Sequence, residues 1–125
     1  MLSIHKLKLR LLNLNCYATE EPGFDDVYLV IGKAKIWPEH KRQLPVRIGI
    51  TPLNVEIQDI EPDSSLDIEI WDYDVISNND LMGHVPIFID KPGGPYSTDM
   101  IPDPVEAKKA KYTIEWEIDF NDPEK

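Results

Sequence analysis

Asp72, Asp74 and Asp80 stand two and then six residues apart in the segment L-D-I-E-I-W-D-Y-D-V-I-S-N-N-D-L-M-G, from Leu66 to Gly83. The first half of the segment alternates as a strand does, which puts Asp72 and Asp74 on one face, and a loop that doubles back returns Asp80 to that face. Three carboxylates gathered in this way repel one another unless a hard cation, which takes about six to eight oxygen ligands, joins them. Asn78, Asn79 and the backbone carbonyls between them are further oxygen donors. A surface turn whose aspartates cap backbone amides has the same composition and stays open beside the metal reading. An EF-hand does not, because counting from Asp72 its fifth position is Ile76, its sixth is Ser77 where glycine is required, and its twelfth is Gly83 where glutamate is required.

Other chemistry has little footing. The chain has no G-x-S-x-G elbow, no phosphate loop and no cysteine-histidine zinc spacing, and His5, His40 and His84 are far apart in sequence. Paired carboxylates can act as acid and base, as in glycosidases, but metal binding explains their spacing better. The expectation is a protein that is not an enzyme.

The elements that must position these acids read as strands. Eleven prolines and many Asp, Asn and Gly residues break the chain into short apolar stretches. Lys6 to Leu11 alternates with Leu7, Leu9 and Leu11 on one face; the parity then slips to Leu12, Leu14 and Cys16, as a bulge in one long strand would produce. Val27 to Ile31 is an unbroken apolar run, short enough for a strand buried on both faces in the middle of a sheet. Ala34 to Trp37, Val46 to Ile50, Val55 to Ile60, Leu66 to Trp71 and His84 to Ile89 are further candidates, separated by turn residues. Tyr112, Ile114, Trp116, Ile118 and Phe120 fall on one face of a final strand. Pro92 to Pro104 reads as a long irregular loop, and Val105 to Lys111 as at most one helical turn. The fold class is all-β, an antiparallel Greek-key β-sandwich of about seven to eight strands forming a single domain over residues 1–125.

The 125 residues carry 42% apolar and 29% charged side chains and a formal net charge of −10. That charge argues against a sequence-independent hold on nucleic acid, which needs lysines and arginines to displace counterions. No apolar run is long enough to span a bilayer. Lys6, Lys8 and Arg10 interrupt what would be the apolar core of a signal peptide, and Cys16 is the only cysteine, so the expected compartment is the reducing cytoplasm.

The segment I-W-D-Y-D-V-I-S-N-N-D-L-M-G resembles the signature of C2 domains, the sandwich modules of synaptotagmins and protein kinase C. In that family a strand ends in D-x-D and a third aspartate follows six residues later. An earlier loop of the family ends in a motif close to S-D-P-Y-V, with another acid six residues before its aspartate. Asp25-Asp26-Val27-Tyr28-Leu29-Val30 is similar to that motif. The resemblance extends from about Leu7 to Ile89 and implies five calcium ligands: Glu20, Asp26, Asp72, Asp74 and Asp80. Glu20 stands where aspartate is usual, and Val27 where proline is usual. The order of elements resembles the permuted, type II arrangement, which opens on the strand leading into the first acidic loop.

In calcium-binding members, the ions bridge acidic loops to anionic phospholipid while apolar loop tips enter the bilayer. The resemblance thus implies Ca2+ as cofactor and peripheral docking on anionic membranes through Phe24, Val75 and Ile76. Lys33, Lys35, Lys41 and Arg42 form, with His40, the only basic cluster of note, placed where some members bind phosphoinositides. Glu39 interrupts it, and an ordinary solvated surface is the favoured reading there. The alternative function is an adaptor or structural subunit that uses the same sandwich to bind another protein, with or without calcium.

Overall fold

In a computed structural model, which describes residues 6–76, 78–104 and 108–121, the chain forms ten strands. They are β1 (Leu7–Ala18), β2 (Asp25–Ile31), β3 (Ala34–Trp37), β4 (Leu44–Val46), β5 (Gly49–Ile60), β6 (Ser64–Asp72), β7 (Asp80–Ile89), β8 (Gly93–Asp99), β9 (Ile101–Pro102) and β10 (Lys111–Phe120). Two antiparallel sheets face each other, one in the order β5-β1-β10-β8 and the other in the order β3-β2-β6-β7-β9 with β4 also on β2. β4 and β9 are only three and two residues long, and the remaining eight strands are the number expected.

The slip of parity in β1 is a bulge. Its register shifts between Leu11 and Asn13 against both β10 and β5, leaving Leu12 as the extra residue. Leu7, Leu9 and Leu11 before the bulge and Leu14 and Cys16 after it therefore all reach the core. β10 lies beside β1 as the type II order requires, with Tyr112, Ile114, Trp116 and Ile118 buried. Phe120, at the end of the strand, is exposed.

β2 is interior to its sheet as expected, but it is not buried on both faces. Asp25, Val27 and Leu29 are fully buried, while Tyr28 and Val30 on the outer face are half-covered, Tyr28 by stacking on Trp71 at 6.1 Å between centroids. The 92–104 stretch, expected to be irregular, instead holds β8 and β9. β8 is an edge strand, where Pro95 breaks no ladder, and Tyr96 packs on Trp116 with centroids 4.7 Å apart. β9 crosses Gly83 so closely that a Cβ there would collide with the Ile101 carbonyl and the Met100 side chain. Val46 to Ile50, read as one strand, is split: β4 ends at Val46 and β5 begins at Gly49, where φ is +128°. Of the 105–111 segment, residues 105–107 lie outside those described and 108–110 carry no helix.

These strands set three connections at one end of the sandwich: residues 19–24 between β1 and β2, 47–48 between β4 and β5, and 73–79 between β6 and β7. The pairings Asp25 to Val46 and Val27 to Asp72 hold them side by side.

Candidate functional site between the first and third loops

Asp25 organises the first loop. It shares strand parity with Val27 and Leu29, so its carboxylate points inward and is fully buried. There it accepts hydrogen bonds from the backbone amides of Glu20 (3.0 and 3.1 Å) and Glu21 (2.9 Å) and from the Tyr112 hydroxyl (2.6 Å). Burial, and then the Asp25 carboxylate, hold the Tyr112 phenol well above its ordinary pKa, so it stays a donor.

The first and third loops are tied to each other through Asp26. Its amide donates to Asp72 Oδ1 (2.9 Å) and its carbonyl accepts from the Tyr73 amide (2.7 Å). Glu21, Asp26, Asp72 and Asp74 then line one cavity of about 450 Å3, together with Phe24, Gln43 and Val75. Asp72, nearly buried, has its carboxyl pushed up to about 6, chiefly by desolvation, which the Asp26 amide partly offsets; the charges of Asp25, Glu21 and Asp26 push it the same way. In the third loop Asp74 Oδ1 accepts from the Ile76 amide, and Asn79 braces the backbone, accepting from the Asp74 amide and donating to the Tyr28 hydroxyl, all at 2.9 Å.

Of the five acids placed by the resemblance, the fold thus brings Asp26, Asp72 and Asp74 to one cavity. Glu20 and Asp80 face elsewhere. Glu20 Oε1 accepts from the amides of Lys109 (2.9 Å) and Ala110 (3.1 Å), and both Asp80 oxygens accept from Lys108 Nζ at 2.8 Å. Glu21, which the six-residue count passes over, takes a place at the cavity that Glu20 does not. Gln43 was not foreseen either: its Oε1 is buried with no hydrogen-bond partner among the described residues.

These donors suit a hard dication in kind, being carboxylate oxygens with an amide oxygen that lacks a donor. Their present spacing does not grip one: among the described residues no group of three or more His, Cys, Asp or Glu side chains stands ready to hold a metal ion. Filling the cavity would require the side chains to turn inward.

Apolar side chains surround this end. Val75 and Ile76 are 79% and 92% exposed, and Phe24 is exposed beneath the Arg47 guanidinium, 5.2 Å from the ring centroid. Ile48 and Ile50, from the 47–48 connection and the start of β5, are 70% and 71% exposed and were missed because the segment read as one strand. Lys33 sits in the turn between β2 and β3, and Lys35 Nζ is committed to the Pro38 and Lys41 carbonyls. Arg42 lies over the Tyr73 ring at 5.1 Å and donates to its hydroxyl. Among the described residues no helix is long and apolar enough to cross a membrane.

The C2 domain family model matches residues 51–101, a stretch that includes Asp72, Asp74 and Asp80 and leaves the first loop outside. In three dimensions the chain is similar to a C2 domain of plant extended synaptotagmin 1, with a TM-score of 0.61 and 11% identity over 97% of each chain. It is similar to a second solved C2 domain with a TM-score of 0.55 and 17% identity, over 94% of this chain and 99% of that one. Human GIVD cytosolic phospholipase A2, in complex with methyl gamma-linolenyl fluorophosphonate, matches with a TM-score of 0.54 and 16% identity, over 93% of this chain but 17% of its own length. No curated protein matches the sequence. At such identities the structural likeness is one of fold: the chain has the sandwich fold of C2 domains, and the C2 family model matches its central strands.

Proposed function

We propose that this chain is a C2 domain, a calcium-responsive module that docks peripherally on anionic phospholipid membranes from the cytoplasmic side, and that it is not itself an enzyme. The observation that carries the reading is the cavity lined by Glu21, Asp26, Asp72 and Asp74 together with Phe24 and Val75, with the exposed Ile76 next in the chain. Burial and then the neighbouring carboxylates make the charged form of Asp72 costly, raising its carboxyl to about 6, and a dication would relieve the same cost. Glu21, Asp26, Asp72 and Asp74 would hold the ion, with Gln43 Oε1 as a neutral donor. When bound, calcium would supply positive charge that neutralises the loops and coordinates lipid phosphate.

The remaining steps belong to this chain. Empty, the carboxylates repel an anionic surface; neutralised, they let Arg42 and Arg47 approach the headgroups while Val75, Ile76, Phe24, Ile48 and Ile50 partition beneath them. Sedimentation with phosphatidylserine vesicles tests this. Binding is expected in millimolar calcium and not in chelator, and Asp26→Asn with Asp72→Asn together should abolish it. Equal binding in both conditions would remove calcium from the account, and no binding in either would remove the membrane.

A second reading is favoured by one specific feature. Glu20 and Asp80 are already engaged by residues 108–110, which suits a protein-binding adaptor that works without calcium. On that reading the melting temperature is the same in calcium and in chelator.

A further inference from the structure

The outer faces of the two sheets treat their acids differently. On the β5-β1-β10-β8 sheet they are neutralised within the chain: Arg10 reaches Glu56, Glu117 and Asp119 at 3.5 to 3.6 Å, Lys8 also meets Glu56 at 4.0 Å, and Asn13 donates to Glu115 at 2.8 Å. On the other sheet, Asp67 and Glu69 meet no lysine or arginine among the described residues. Asp67 Oδ1 lies 2.9 Å from His84 Nδ1, and Glu69 Oε1 accepts from the Trp71 indole at 2.9 Å. Lys35, opposite Val30 on β3, is spent on the Pro38 and Lys41 carbonyls. Apolar surface adjoins these unmatched charges. Asp67, Glu69 and Trp71 alternate along β6, so they stand in one line at steps of about 7 Å, and Trp71 stacks on Tyr28 from β2. On β7 and β9, Phe88 and Ile101 are 56% and 43% exposed, and Ile101 is paired with His84.

We propose that the outer face of the β3-β2-β6-β7-β9 sheet docks a cationic amphipathic helix of another protein, its lysines or arginines on Asp67 and Glu69 and its apolar side chains on Phe88 and Ile101. This goes beyond the loop site and needs no calcium. Charge selects the occupant. Unmatched carboxylates repel nucleic acid and anionic lipid, and a second copy of a chain with a net charge of −10 brings more acid than base. A cation reaching past Glu69 also meets the face of the Trp71 ring, which attracts it. A helix fits the layout: side chains four residues apart on it are about 6 Å apart, near the spacing along β6, and its width of about 10 Å covers two neighbouring strands. The acidic loops lie at one end of the sandwich, so whatever they engage leaves this side face open to a second partner.

The test is a nuclear magnetic resonance titration of the full chain, in chelator, with a synthetic amphipathic helical peptide of leucine, lysine and alanine. Shifts are expected at Asp67, Glu69, Trp71, His84 and Phe88. Asp67→Asn with Glu69→Gln, which together keep acceptors for His84 and the Trp71 indole, should weaken binding about tenfold, as the loss of two surface ion pairs implies. Glu117→Gln on the other sheet should change nothing, and the same peptide with serine in place of leucine should bind more weakly because its apolar contact is gone. Absence of binding, shifts centred on the acidic loops or on the β5-β1-β10-β8 sheet, or equal affinity for the double variant or for the serine peptide would each overturn the proposal. Sedimentation velocity of the chain alone should show a monomer; a dimer that Phe88→Ser dissolves would give the face to a second copy and overturn it too. None of these outcomes depends on calcium, so the loop reading stands or falls separately.

Discussion

The first and third loops face one cavity but are held by different means. The first is pinned by a buried charge, Asp25, which collects two backbone amides and the Tyr112 hydroxyl. The third is braced by a half-buried neutral amide, Asn79, which reaches the Asp74 amide and the Tyr28 hydroxyl. A buried carboxylate with three donors leaves charged and polar groups stranded if it is lost, whereas a neutral side chain near water leaves groups that solvent can satisfy. The first loop is thus built as a fixed wall and the third as the part that adjusts.

The largest expected effect follows from the fixed wall. Asp25→Ala strands the Tyr112 hydroxyl and both loop amides, and should lower unfolding stability by about 4 kcal/mol. Urea denaturation measures it. A loss below about 1 kcal/mol would mean that the two loops are held alike and that the contrast is mistaken.

Calcium comes next. An ion bound only to the folded state stabilises it by about 2.7 kcal/mol at a hundredfold excess over its dissociation constant. The parent should therefore melt higher in calcium than in chelator, and Asp72→Asn should lose most of that gain. If the adjustable loop is where the ion is gripped, hydrogen exchange around Asp74 and Asn79 should slow on calcium addition more than exchange at Glu20 and Glu21.

The proton is the next probe of the same cavity. In the metal-free protein the Asp72 carboxyl is pushed up to about 6 from an ordinary 3.8. Between those values the folded state binds more protons than the unfolded one, so stability falls as pH rises from about 4 to 6 and stays reduced above that. Screening at the cavity mouth brings the full linkage value down to about 2 kcal/mol. Asp72→Asn keeps an oxygen for the Asp26 amide and removes the charge. It should be more stable than the parent by about that amount at pH 7 in chelator, with this part of the pH slope gone.

How far all this could be read from the sequence differs between the two loops for physical reasons. In the third loop, D-x-D ends a strand of strict alternation, so Asp72 and Asp74 could be placed by parity and spacing alone. In the first loop a six-residue count selects Glu20. A loop containing Pro22 and Gly23 need not present every acid to one side, and the fold turns Glu21 to the cavity. Asp25 was legible in principle, since extending β2 back by two residues gives it the parity of Val27 and Leu29. The bulge at Leu12 and the core face of β10 were legible because alternation is long there. β8 and β9 were not, because Gly93, Gly94, Pro95 and Pro102 carry turn signals, and only packing on Trp116 and Gly83 makes strands of them. Lys108 was hidden in V-E-A-K-K-A-K, where nothing local reveals that one lysine meets Asp80 some 28 residues away in sequence.

The smallest expected effect tests the adjustable side of the contrast. Asn79→Ala removes an acceptor from the Asp74 amide and a donor to the Tyr28 hydroxyl. Both bonds are neutral, and neither group is deeply buried: Tyr28 is half-covered and Asp74 is exposed. Water can replace what is lost, so the cost should be about 1 kcal/mol, far below that of Asp25→Ala. The informative part is where the loss appears. If the third loop is a separately adjustable unit, hydrogen exchange should quicken at residues 73–76 while Glu20 and Glu21 amides keep their protection, and calcium should restore the slow exchange. A cost equal to that of Asp25→Ala, or quickened exchange in both loops together, would mean that the Asp26 to Asp72 and Tyr73 bonds make the two loops one rigid body. Calcium would then have to bind through rotation of the side chains alone, since their present spacing among the described residues does not hold an ion.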